Sequence, residues 1–262
     1  MSDYQLQQLC YLILLFFVFS VLGWCMEVFL KYRQYHRFIN RGFMIGPYCP
    51  IYGSGIVFIT VMVNVLSGVE TSVGTTFMIS FLGCGALEYA VSYYMEKRYH
   101  ARWWDYSTKP MNLNGRIWIG NLILFGIGGT LVIEVINPIV YSLFYRIPER
   151  VLYVLSVLVV LVMLSDNITS QFVMKFVKSS VENSEADNTE SISKEIRMLM
   201  KDKSILYRRF ADAYPDVIYR TDRIKRKMQE VKTEMERIQQ EAAGNLERRL
   251  VWSAFPREQR PV

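Results

Sequence analysis

Four acids stand inside otherwise apolar stretches: Glu27, Glu88, Glu134 and Asp166. An ionisable side chain is costly in hydrocarbon, so it usually faces a bundle interior or a water-filled cavity and finds a partner there. Glu27 precedes Lys31 by one turn, a spacing that allows an (i, i+4) pair at an interface. Glu88 has no such neighbour, because Cys84, Gly85, Val91 and Ser92 occupy the positions three and four away. Lys97 follows it, and a rise of 1.5 Å per residue puts Glu88 roughly 13 Å inside that charge. A carboxylate so placed could bind an ion or a substrate. It could also serve as a general base, with an arginine holding a phosphate.

Two further segments carry unusual chemistry. Residues 40–55 hold four glycines and two prolines, namely Gly42, Gly46, Pro47, Pro50, Gly53 and Gly55. Proline lacks a backbone donor and glycine permits positive φ. Irregular backbone at membrane depth persists only where protein buries it or water reaches it, so this stretch reads as a broken entry to a span or as a loop leading to a closely packed glycine face. The second segment is Trp103-Trp104-Asp105-Tyr106-Ser107, continuing through Asn112, Asn114, Gly115 and Arg116. Its tryptophans suit a headgroup belt, and Arg116 at a helix start calls for an acid (Asp105, Glu88 or Glu27) or a lipid phosphate. Glu27, Arg41, Tyr52, Glu88, Asp105, Asn112, Asn114 and Arg116 then map to one side of the membrane as a candidate polar pocket for a substrate or ion.

The elements that must position these residues follow from charge and hydropathy. The chain has 262 residues, of which 52% are hydrophobic and 21% charged. Residues 1–175 carry 12 of the 30 Lys+Arg and 9 of the 24 Asp+Glu, so an apolar block precedes a charged tail. A spanning helix needs ~20 apolar residues. Leu9 to Met26, Phe43 to Val69, Thr71 to about Tyr94, Ile117 to Tyr145 and Val151 to about Met174 qualify. The expectation is an all-α polytopic membrane helical bundle of about five transmembrane helices, with a Gly/Pro-broken entry to the second and a cytoplasmic helical tail. Its parts are residues 1–175 as the bundle, 176–193 as a linker and 194–262 as an amphipathic or coiled-coil tail.

Loop charge gives an orientation. Lys31, Arg33, Arg37 and Arg41 share one loop, and Lys97, Arg98, Arg102, Lys109 and Arg116 share another on the same side. The positive-inside rule then places the N-terminus outside and the tail in the cytoplasm of a multi-pass cell-membrane protein. The net charge of +6 reads as topology and attraction to anionic lipid, and nucleic acid is not an expected partner. In the tail, Ile224, Met228, Val231, Met235 and Ile238 step by four and three, a short heptad seam that could form a homodimer. Cys10, Cys25, Cys49 and Cys84 form no CxxC pair and read as small apolar residues between helices, while His36 and His100 fall in loops. No metal site and no cofactor is expected.

Gly23-Trp24-x-x-Glu27, Asn40-Arg41-Gly42-Phe43, Gly46-Pro47-x-Cys49-Pro50-Ile51-Tyr52-Gly53-x-Gly55, Leu87-Glu88-Tyr89, Trp104-Asp105-Tyr106-Ser107 and Asn112-x-Asn114-Gly115-Arg116-Ile117 together resemble the bacterial family catalogued as ABC-transporter type IV permeases, the CmpB family. The resemblance covers roughly residues 8–145 and leaves the tail outside. It implies the membrane half of an ATP-driven transporter. The sequence contains no G-x-x-x-x-G-K-[ST] loop, so a separate ATPase subunit would be required. Glu241-Ala242-Ala243-Gly244 only superficially matches the ATPase-docking loop of importer permeases, since it lies after the last span. Other readings are a membrane enzyme acting on a lipid headgroup at the inner leaflet, and a scaffold or regulator that recruits partners through its tail.

Overall fold

The computed structural model describes residues 2–66, 72–184, 189–203, 205–213 and 217–219, with a few single positions between 226 and 240. Helices dominate: α1 (Asp3–Tyr35), α2 (Pro50–Leu66), α3 (Val73–Tyr99), α4 (Ile119–Leu131), α5 (Asn137–Phe144), α6 (Glu149–Glu182), α7 (Thr189–Lys203) and α8 (Ile205–Ala213). A wide π turn, Val132–Ile136, joins α4 to α5. The only strands among the described residues are two-residue pairs: β1 (Ala101–Arg102) with β4 (Ile218–Tyr219), and β2 (Asn112–Leu113) with β3 (Ile117–Trp118).

Four helical segments are long and apolar enough to cross a membrane: Asp3–Tyr35, Val73–Tyr99, Ile119–Phe144 and Glu149–Glu182. The fifth expected span is shorter. Its apolar sequence begins at Phe43, yet helix begins only at Pro50 and α2 has 17 residues. Residues 42–49 are irregular, with Gly42 at φ 121°. Proline needs no donor in the first helical turn, so Pro50 is a natural starting point once the chain has turned. The Gly/Pro-broken entry therefore shortens the helix that it opens.

The helix ends explain several residue types. Ser2 caps α1 in a reciprocal box with Gln5, and Ser72 caps α3 through the Thr75 amide. His36 and His100 close α1 and α3 in the left-handed conformation, at φ 52° and 53°. Both histidines thus terminate helices at the same end of the bundle.

Packing depends on small residues. Gly53 of α2 lies directly on α1, where an added Cβ would fall 2.2 Å from the Phe16 carbonyl oxygen and 2.4 Å from Ser20 Oγ. The obstacle is backbone, which cannot swing aside. Gly53→Ala is therefore expected to cost about 1–3 kcal/mol of stability, read as a lower melting temperature of the purified protein. A melting temperature at or above that of the parent would show that α1 and α2 are not in register as described.

The tail does not stand apart from the bundle. α6 runs on to Glu182, and α7 starts at Thr189, so most of the expected linker is helical. Val173, Met174, Val177 and Val181 of α6 bury against Ile192, Ile196 and Met200 of α7, and Phe210, Val217 and Tyr219 close over Tyr99, Ala101 and Trp103. This is an aqueous-type core, built where α6 leaves the apolar block. Burial pushes the Tyr219 phenol up to about 12. Trp103, expected at headgroup level, is 8% exposed inside this core. Of the heptad seam, Ile224, Met228 and Val231 lie outside the described residues, as does Glu241-Ala242-Ala243-Gly244; Met235 and Ile238 are helical and exposed.

Candidate functional site

At the tail end of the bundle, Glu27 lies in the last turns of α1. Tyr52 donates its hydroxyl to Glu27 Oε1 at 2.7 Å, and Arg41 Nε lies 3.5 Å from Glu27 Oε2. Gly23, one turn before Glu27, makes room for Tyr52: a Cβ there would sit 2.3 Å from the ring. Arg41 also donates to the Ala213 carbonyl at 2.9 Å, so α8 is tied to the same corner. Trp24 donates to Asn40 Oδ1 at 2.7 Å and fixes the return of the chain after α1.

Glu88 forms the neighbouring set. It is 8% exposed. Its Oε1 accepts from the Tyr106 hydroxyl at 3.3 Å and from Asn121 Nδ2 at 3.2 Å, and Asn121 Nδ2 also reaches the Tyr106 oxygen at 2.9 Å. Its Oε2 is buried and has no hydrogen-bond partner among the described residues. The two sets adjoin, since Glu27 lies within electrostatic reach of both Glu88 and Tyr106. Burial, then the Glu88 charge, pushes the Tyr106 phenol well above its ordinary range, so it remains a neutral donor at physiological pH. The result is a buried polar cluster of two carboxylates, two phenols, one amide and one arginine.

The other expected residues build the loop that supplies Tyr106. Arg116 pairs with Glu96 at 2.9 Å and donates to Ser92 Oγ at 3.2 Å, with its guanidinium over the Tyr89 and Tyr93 rings. Its acid is thus Glu96, one that the apolar pattern did not single out, rather than Asp105, Glu88 or Glu27. Asp105 pairs with Arg102 at 3.2 Å and accepts from the Ser107 amide at 3.0 Å. Arg102 bridges back to Glu96 at 3.0 Å. Asn112 bonds the Ser107 and Lys109 carbonyls and accepts from the Gly115 amide, and Asn114 donates to the Tyr89 hydroxyl. Of the eight residues expected to converge, Glu27, Arg41, Tyr52 and Glu88 line the pocket. Asp105, Asn112, Asn114 and Arg116 shape its wall.

Two members of the cluster were not among the residues expected to converge: Tyr106, although its segment was singled out, and Asn121. Asn121 is a polar amide three residues into an apolar helix, which is the one trace it left. Asp166, one of the four acids in apolar stretches, lies in a different set. Its carboxylate accepts from the Ile45 amide (2.8 Å), the Gly46 amide (2.7 Å), the Tyr48 hydroxyl (2.5 Å) and Ser170 Oγ (3.1 Å). The irregular entry to α2 therefore gives its free amides to an acid of α6. Gly42, Gly46 and Pro47 sit in this turn, whereas Gly53 and Gly55 face neighbouring helices. Arg209 of α8 donates to the Met44 carbonyl in the same turn.

The family profile described as "Putative ABC-transporter type IV" (CmpB) matches residues 14–171. That is about three-fifths of the chain, and the chain belongs to this family. The match extends past residue 145, so it includes Asp166 as well as Glu27, Glu88 and Asn121. No curated protein and no solved structure matches the chain.

Proposed function

We propose that this CmpB-family chain is the membrane component of a transport system, and that the Glu27–Glu88 pocket binds its substrate or a coupling ion. The observation that carries the reading is the buried Glu88 Oε2 in a spanning helix, an acceptor with no donor among the described residues. Leaving such an atom empty is costly, so a proton, a cation or a ligand donor is its natural complement. With the tail in the cytoplasm, the cluster lies at the inner-leaflet end of the bundle, beside the loop that supplies Tyr106. Energy would come from a separate ATPase docking on this face, because the sequence holds no nucleotide loop of its own.

The test is mild-detergent purification of the tagged full chain from its native membrane. An ATPase subunit should co-purify, and the recovered complex should hydrolyse ATP while the chain alone does not. Recovery of a functional transporter with no nucleotide-hydrolysing subunit would overturn the ATP-driven reading.

A further inference from the structure

The hydrogens around Glu88 run in one direction. Trp118 Nε1, an indole that can only donate, bonds Asn121 Oδ1 at 2.9 Å. That fixes the Asn121 amide, so its Nδ2 faces the Tyr106 oxygen at 2.9 Å and Glu88 Oε1 at 3.2 Å. Tyr106 accepts from Asn121 and spends its own proton on Glu88 Oε1 at 3.3 Å. The chain of donors therefore ends on a single oxygen of Glu88. Oε2, on the same buried side chain, has no hydrogen-bond partner among the described residues.

The neighbouring acid is already answered. Glu27 Oε1 accepts from Tyr52, and Arg41 Nε lies 3.5 Å from Glu27 Oε2. Glu88, by contrast, makes no ion pair among the described residues and is met only by neutral donors. The charged and titratable groups of the cluster are Glu27 on α1, Arg41 in the turn that follows, Tyr52 on α2, Cys84 and Glu88 on α3, and Tyr106 in the loop before α4. The one cation among them sits on Glu27. One negative charge is left uncompensated, and it falls on Glu88.

Granted that the Glu27–Glu88 cluster is the ligand site, we propose that its ion is a proton, taken up and released at Glu88 Oε2 beside the fixed Glu27–Arg41 pair. A metal cation needs several oxygens turned toward it. Here the hydrogens of Tyr106 and Asn121 converge on Glu88 Oε1 and a guanidinium stands on Glu27, and both repel such a cation. Among the described residues no group of three or more His, Cys, Asp or Glu is placed to hold a metal. A proton needs no coordination shell. It forms one O–H bond to Oε2, comes from hydronium and returns to water, and nothing is oxidised or reduced. One proton cancels the one uncompensated charge, in surroundings where charge is costly and two adjoining carboxylates repel.

The experiment is infrared difference spectroscopy between acidic and alkaline buffer on the purified full chain in phosphatidylcholine vesicles. A carboxylic-acid band should appear that shifts on deuteration, is lost in Glu88→Gln and returns at a shifted frequency in Glu88→Asp, where an acid is kept. Replacing choline chloride by sodium chloride at matched ionic strength and fixed pH should leave the melting temperature unchanged. A rise in sodium that Glu88→Gln removes would overturn the proton and identify a metal cation. If no Glu88-dependent band appears while Glu88→Gln still abolishes cellular function, the proton assignment fails and the ligand site stands. If the band appears and Glu88→Gln supports full function, the ligand site fails, and the coupling role of the proton with it.

Discussion

Glu88→Gln is expected to abolish the protein's cellular function and leave it as stable as the parent, or slightly more so. Glutamine has the same shape. Its carbonyl oxygen can accept from Tyr106 and Asn121 as Glu88 Oε1 does. Its amide then occupies the place of Oε2, the buried acceptor that has no donor among the described residues. The substitution removes the ionisable oxygen and nothing that supports the fold. The amide meets no acceptor there either, but the substitution removes a buried charge, which is costlier in hydrocarbon than a neutral amide, so stability should hold. Two measurements on one variant are needed: a melting curve of the purified protein and complementation of a strain lacking it. Full complementation by Glu88→Gln would sink the pocket as a ligand site. Loss of both function and stability would mean that Glu88 is structural. Tyr106→Phe and Asn121→Ala should weaken function by less, because each removes one of two donors to the same oxygen.

Asp166→Ala should be the most destabilising single change in the bundle. The carboxylate receives two amides, a phenol and a hydroxyl. Removing it leaves the amides of Ile45 and Gly46 and the Tyr48 hydroxyl without an acceptor, and Tyr48 is only 4% exposed. At about 1–3 kcal/mol for the buried Tyr48 donor and somewhat less for each of the two half-buried amides, the loss should be roughly 3 kcal/mol. Asp166→Asn keeps one oxygen but turns an amide toward the donors, so it should lose less. Tyr48→Phe removes one donor and its bond together and should lose about 1 kcal/mol. Protease cleavage within 42–49 would report the same order, because that turn is what the carboxylate holds. An order in which Tyr48→Phe matches Asp166→Ala would show that the turn is held by something other than the acid.

The membrane bundle was legible because its cause is local. Runs of apolar residues such as Leu9 to Met26 dictate spanning helices wherever they occur, and Pro47 with Pro50 forbids a regular helix through the entry to α2. The burial of Glu88 was equally legible, since no cation stood within one turn of it. Its partners were not. Tyr106 lies 18 residues away and Asn121 lies 33 residues away, and neither has a spacing relation to it. Arg116 shows the same limit: the pattern called for one of three acids or a lipid phosphate, yet the fold delivered Glu96, two helical turns beyond Glu88 on the same helix.

Taken by itself, the sequence determined what each segment must avoid: exposed apolar runs in water, stranded charge in lipid and helix through proline. Those constraints act over a few residues and hold in any fold. The tertiary structure decided which group answers each need. Asp166 meets the Ile45 and Gly46 amides across 121 and 120 residues, and β4 reaches β1 from the middle of the tail. Such pairings depend on how α1 and α6 lie against each other, and that is set by summed side-chain packing over the whole interface, where small residues like Gly23 and Gly53 permit close approach. The packing of the described part of the tail was not legible for the same reason. Its charges identified a segment outside the bilayer, but Ile192, Ile196, Met200 and Phe210 show their purpose only once the end of α6 and the 99–103 turn lie beneath them.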